Sequence, residues 1–143
     1  MSFDLEEVRG IHNSNPKEFK FWYDLSTQPL PEDFIREFKN FLNWHMLSVH
    51  QVLSEELIRE FKNRVVWSVI SEFQVLSENF IREFQNKVYW DSISCHQKMS
   101  DEFMLEFKDK IYWKWVPVIS YELLNQLPDY IRETRTWPRF LRY

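Results

Sequence analysis

Four histidines, one cysteine and an evenly spaced set of serines, glutamates and tryptophans are the side chains with which this chain would do chemistry. Zinc draws its ligands from closely spaced Cys and His pairs. Cys95 beside His96, with no second cysteine anywhere, does not make such a set. Nucleophilic catalysis needs a base within reach of the nucleophile and a third group to orient the base. The residue types are present, but no spacing arranges them. The expected catalytic, metal and cofactor sets are therefore empty, and the chain reads as a non-enzyme.

Glu37, Glu60, Glu83 and Glu106 would form an acidic ladder for a basic partner or a cation. A structural role fits them better: Glu60–Arg64, Glu83–Lys87 and Glu106–Lys110 have the order favoured in i,i+4 helix pairs. Glu32–Arg36, Glu55–Arg59 and Glu78–Arg82 repeat that order one step earlier, while Glu37 faces Phe41 and lacks a partner of this kind. Trp44, Trp67, Trp90 and Trp113 would stack bases in a nucleic-acid binder. Their regular placement assigns them instead to a structural framework with Phe38, Phe61, Phe84 and Phe107. Trp67 and Trp90 are expected almost fully buried, each indole N–H on an acceptor.

What must position these side chains is a repeat. The four tryptophans are spaced 23 residues apart, and the blocks Leu30–Val52, Leu53–Val75, Leu76–Lys98 and Met99–Tyr121 align without a gap. They open LPEDFIREFKN, LSEELIREFKN, LSENFIREFQN and MSDEFMLEFKD. Eroded copies flank them: Pro16–Phe19 with Trp22, Leu25, Ser26 and Gln28 upstream, and Leu127–Glu133 downstream. Self-similarity of this kind marks a solenoid with caps. The expected fold is all-α, a short α-solenoid of two-helix repeats with degenerate terminal caps. One continuous domain comprises an N-terminal cap over 1–29, four repeats over 30–121 and a C-terminal cap over 122–143.

In each repeat a helix A is expected, over 32–42, 55–65, 78–88 and 101–111, followed by a short helix B opening at the tryptophan. Ser54 suits an N-cap, with Glu55 and Glu56 in the first turn. Leu53 and Ile58 stand at the positions of a hydrophobic staple, but N3 is Leu57, so no capping box forms. Leu57, Ile58, Phe61 and Val65 make the buried stripe. Gln51, Gln74 and Gln97 are placed to satisfy helix-end carbonyls or a neighbouring repeat's backbone, and Ser48, Ser71 and Ser94 to bond locally. Burying a large apolar side chain contributes roughly 1.5–3 kcal/mol. Ordering one residue costs roughly 1–2 kcal/mol, so a repeat alone is unstable and stacking must supply the difference.

Composition agrees. The 143 residues include one glycine, which starves β-hairpins and phosphate-binding loops alike. The net charge of −4 gives no electrostatic reason to expect nucleic acid. The N-terminus lacks the pattern of a signal peptide, and no window suits a membrane span. Together with a single cysteine, these features lead us to expect a complete, soluble, intracellular and unsecreted chain without a membrane partner.

The phrases LSEELIREFKNRVVW, LSENFIREFQNKVYWDSISCHQ and MSDEFMLEFKDKIYW resemble tandem repeats of the form LSEEFIREFKDKVDW-x-x-I-S-x-x-Q in proteins of giant viruses and large phages. The resemblance covers about two-thirds of the chain. It implies a virus-encoded protein of the host cytoplasm and carries over no catalytic residue. Pro31 in place of the capping Ser and Leu105 in place of Arg depart from the pattern. So does Trp115-Val116-Pro117 in place of the Ile-Ser step, where stacking should end or bend.

In repeat proteins, positions that recur serve the stack, and positions that diverge are available for binding. Phe41, Arg64, Lys87 and Lys110 form one variable column, and Asn43, Val66, Tyr89 and Tyr112 another. Tyr89, Tyr112, Trp115, Phe73 and Trp137 are the candidate partner-binding residues, of the amphipathic kind enriched at interfaces. The expected function is a protein–protein interaction module that binds or sequesters a host factor. The alternative is a small-ligand or nucleotide binder using the concave face, and convergent Arg and Lys would mark it.

Overall fold

The computed structural model of the protein describes residues 4–14, 19–133 and the backbone of 141–142. The chain divides into two compact units, Met1–Val69 and Ile70–Tyr143. The first holds α1 (Leu5–Ser14), α2 (Phe19–Ser26), α3 (Glu32–Glu37), α4 (Trp44–His50) and α5 (Glu55–Glu60), and α6 (Trp67–Phe73) crosses the boundary. The second continues with α7 (Glu78–Glu83), α8 (Trp90–His96), α9 (Asp101–Glu106), α10 (Tyr121–Gln126) and α11 (Asp129–Glu133). The architecture is a helical repeat of α-solenoid type. One departure from an all-helical chain is a short parallel pairing of β1 (Ile119–Ser120) with β2 (Leu141–Arg142). No described residue has positive φ, as a chain with one glycine requires.

Helix A is shorter than its periodicity predicts. Each copy ends at the glutamate, and the following Phe38, Phe61, Phe84 or Phe107 leaves helical geometry at φ between −104° and −108°. A tight turn follows, in which the Phe41, Arg64, Lys87 and Lys110 N–H groups bond the carbonyl three residues back. That turn still delivers Leu42, Val65, Val88 and Ile111 to the core, so the apolar stripe outlives the helix that suggested it.

Ser54 caps its helix as expected, and Ser77 and Ser100 do the same in their repeats, each Oγ accepting the N–H of the third residue on at 3.1 Å, while Pro31 offers no such bond. The missing capping box is supplied by another repeat. The Ser54 N–H donates to Glu32 Oε1 at 3.0 Å, and the Ser100 N–H donates to Glu78 Oε1. Burial alone would raise the Glu32 carboxyl, but the Ser54 hydroxyl and amide, together with Arg36, outweigh it and hold the group below its ordinary value.

Polar ladders close the junctions between repeats. Ser26 Oγ donates to the Trp22 carbonyl at 2.6 Å and accepts the Asn43 N–H at 2.8 Å. Ser48 and Ser94 do likewise toward Trp44 and Trp90, and toward the Val66 and Tyr112 N–H groups. Gln97 Nε2 donates to the Ser71 and Gln74 carbonyls at 3.1 and 2.8 Å, and its Oε1 accepts the Leu76 N–H at 3.1 Å. Gln51 repeats this on Ser26, Gln28 and Leu30. The eroded upstream copy therefore carries the same bonds as the intact ones.

Two expectations are corrected. Trp67 and Trp90 are half-buried, not almost fully buried. Each indole lies at the outer corner between helices A and B, where its N–H donates to the carbonyl five residues back, Lys62 for Trp67 and Gln85 for Trp90. Trp44 and Trp90 pack on the next repeat, Trp44 on Phe61 and Trp90 on Phe107, with centroids 4.7 and 4.9 Å apart. Trp44 and Trp113 make the same indole bond, to the Lys39 and Lys108 carbonyls.

The ladder glutamates also pair differently. Glu60 binds Arg36 and Glu106 binds Arg82, both at 2.8 Å, and Glu37 binds Arg9 at 2.9 Å. Arg64 turns instead to the Lys39 carbonyl and Asn40, and Lys110 to Gln85. The expected i,i+4 pairs Glu32–Arg36, Glu55–Arg59 and Glu78–Arg82 do form. Long side chains reach the adjacent repeat as readily as the next turn of their own short helix.

The fourth repeat has no helix B. Trp113 opens only a turn, closed by the Trp115 N–H on the Tyr112 carbonyl at 2.8 Å, because Pro117 has no N–H to extend it and disfavours helix before it. Ile119-Ser120-Tyr121-Glu122-Leu123 then begins another helix A. Ser120 Oγ accepts the Leu123 N–H at 2.9 Å and donates to Asp101, which occupies the place of Glu32 and Glu78 in earlier repeats. This copy is offset from the 23-residue period, so the repeat spacing does not predict it.

Candidate functional site

Position 43 of the first repeat opens helix B, and Asn43 caps it, its Oδ1 accepting the Met46 N–H at 3.0 Å. The equivalent Tyr89 opens α8 with no side-chain cap, a loss worth about 1 kcal/mol at such a position. Its ring stands 51% exposed, and that of Tyr112, one repeat on, 54% exposed. The Ser71 and Ser94 hydroxyls each accept the N–H of one of these tyrosines at 2.9 Å, which fixes where the rings leave the backbone. Both tyrosines line one open groove of about 720 Å³, with Trp90, Asp91, Asp109 and Lys110.

The charges in this groove are unequal. Lys110 Nζ donates to Gln85 Oε1 at 2.8 Å and lies 5.5 Å from the Trp90 ring centroid, so the cation is held against the framework. Asp109 accepts the Tyr130 hydroxyl at 2.6 Å, and this bond, with burial and the carboxylate charge, raises the phenol above its ordinary value. Asp91 accepts the adjacent Ser92 N–H at 2.8 Å and has no ion-pair partner among the described residues.

Asp91 also lines a second groove of about 250 Å³, with Glu72, Ser92, Cys95, His96 and Trp115. Trp115 is 52% exposed, and Lys114 Nζ lies 5.5 Å from its ring centroid. The structure therefore brings Tyr89 and Tyr112 together and sets Trp115 on the adjoining groove. Phe73 is exposed but lines neither groove. Trp137 lies outside the described residues. The column of Arg64 and Lys110 serves bonds between repeats. The sequence reading missed Asp91, Asp109 and Glu72. Asp91 shows the same divergence as the tyrosines, since His45, Ser68 and Lys114 hold its place elsewhere.

Among the described residues, no three His, Cys, Asp or Glu side chains gather as a metal set would. No described helix is long and apolar enough to cross a membrane. Compared with known proteins, the chain matches no family model, no curated protein and no solved structure, so a functional reading rests on the geometry of its own residues.

Proposed function

We propose that the chain is a non-enzymatic protein-binding repeat module that docks its partner on the face carrying Tyr89, Tyr112 and Trp115. The observation that carries this reading is the replacement of a capping side chain by an uncapped, half-exposed tyrosine at the start of α8, matched by Tyr112 in the next repeat. The position is a variable one, and large amphipathic rings of the hot-spot type occupy it in these two repeats. The resemblance of the repeats to those of giant viruses and large phages makes the partner a host protein, bound or sequestered in the host cytoplasm. A small anionic ligand or nucleotide is less well served, because among the described residues Lys110 is the one cation lining the tyrosine groove, and it is already bonded.

The test compares Tyr89→Ala, Tyr112→Ala and Trp115→Ala with the unaltered chain. Each is checked for helicity and used to recover partners from host extract, with the recovered protein then titrated against each variant. Loss of one anchor should weaken binding by about 2 kcal/mol, roughly thirtyfold. Unchanged affinity in all three folded variants overturns the assignment.

A further inference from the structure

The proposed docking face has a charge character that narrows its occupant. Nearly every framework arginine is spoken for: Arg9 by Glu37, Arg36 by Glu60 and Glu32, and Arg82 by Glu106 and Glu78. The acids of the two grooves contrast with this order. Asp91 and Glu72 have no ion-pair partner among the described residues, although Asp91 lines both grooves and Glu72 one. The groove's own cation, Lys110, is drawn off to Gln85 and the Trp90 ring. Around Asp91 stand the exposed rings of Tyr89, Tyr112 and Trp115.

An aromatic face attracts a cation, and a planar guanidinium also stacks on it while its N–H groups remain free for a carboxylate. Phosphate and carboxylate ligands would meet uncompensated negative charge here, and a purely apolar segment would bury Asp91 without a partner at a desolvation cost. We infer that the face accepts an arginine-bearing segment of a protein partner, with a guanidinium against Tyr89 or Tyr112 and paired to Asp91. The inference rests on the docking role of this face and specifies the chemistry of what docks.

The probe is a blocked peptide, acetyl-Gly-Arg-Gly-Arg-Gly-amide, titrated into the isotopically labelled full chain and followed by amide chemical shifts. The control peptide carries citrulline, the uncharged near-isostere, in place of each arginine. Saturable shifts at Tyr89, Asp91 and Tyr112 are expected with the arginine peptide, absent with citrulline and diminished at high salt. Asp91→Asn should weaken the arginine peptide about fivefold, the scale of an exposed ion pair. Glu102→Gln, which removes an exposed acid that lines neither groove, should leave the affinity unchanged.

Equal shifts from the two peptides, or equal affinity for Asp91→Asn and the unaltered chain, overturn the inference. The two readings fail separately. If Tyr89→Ala and Tyr112→Ala abolish recovery of the cellular partner while the arginine peptide does not bind, the face docks protein but not through arginine. If the peptide binds in an Asp91-dependent way while partner recovery ignores all three aromatic variants, the arginine site is real and the docking role is not.

Discussion

Gln97 is the residue whose removal most directly tests how the repeats are held. It is buried at the end of α8, and it makes three bonds, to the Ser71 carbonyl, the Gln74 carbonyl and the Leu76 N–H. Gln97→Ala deletes all three and leaves those backbone groups buried without the amide. A net hydrogen bond contributes about 1 kcal/mol and an unsatisfied buried group costs about 1–3 kcal/mol, so the loss should be about 3–4 kcal/mol. For a chain of this size each kcal/mol moves the thermal midpoint by roughly 3–5 °C, giving a drop of roughly 9–20 °C. Thermal melts followed by far-ultraviolet circular dichroism provide the assay.

Gln97→Glu sharpens the test. Its carboxylate keeps the acceptor for Leu76 but faces two carbonyls, which should raise its folded pKa above the unfolded value of about 4.3. The protonated acid can donate to one carbonyl again. Stability relative to Gln97→Ala is therefore fully present below the unfolded pKa and is lost as pH rises through the folded one. A midpoint unchanged by Gln97→Ala, or a Gln97→Glu variant with the same pH dependence as Gln97→Ala, refutes the reasoning.

Trp90→Ala should cost about 2–3 kcal/mol, below the roughly 3–5 kcal/mol of a fully buried tryptophan, because the residue is only half-buried. Denaturant unfolding measures this, and a loss at or above the upper range would mean the corner is more closed than its exposure indicates. Glu32→Gln should lower stability at neutral pH and shrink the loss on acidification. The depressed carboxyl stabilises above its unfolded value of about 4.3 and ceases to do so as pH falls through its folded value. Melts across the acid range check it, and an acid limb identical to that of the unaltered chain would contradict the Ser54–Glu32 link.

The repeat register, the Ser54, Ser77 and Ser100 caps and the Glu32–Arg36 pair were legible because each is fixed by spacing within one repeat. Arg36–Glu60 was not, since spacing along the chain does not say whether a long side chain turns along its own helix or across to the adjacent one. The helix that starts after Ser120 was hidden by Pro117, which removed a helix B and shortened the interval that self-similarity depends on. Tyr89 and Tyr112 were visible as breaks in a pattern. Asp91 breaks the pattern equally, but its position lies just inside helix B, beyond the divergent columns at the end of helix A.

The direction of the glutamine bonds has a consequence for how the protein is made. The Gln74 carbonyl waits for a side chain 23 residues further along the chain, and the Ser71 carbonyl for the same one. Ribosomes add roughly 5–20 residues per second, so that wait lasts roughly one to five seconds. During synthesis, the Ser71–Gln74 end stays open until the repeat that carries Gln97 arrives, as the Ser26–Gln28 end does until Gln51 arrives. The open rung travels toward the C-terminus with the growing chain. At the last junction Ser120 stands 23 residues after Gln97, where the next glutamine would be, and there the Asp101–Ser120 bond and the pairing of Ile119–Ser120 with Leu141–Arg142 occupy the end of the queue.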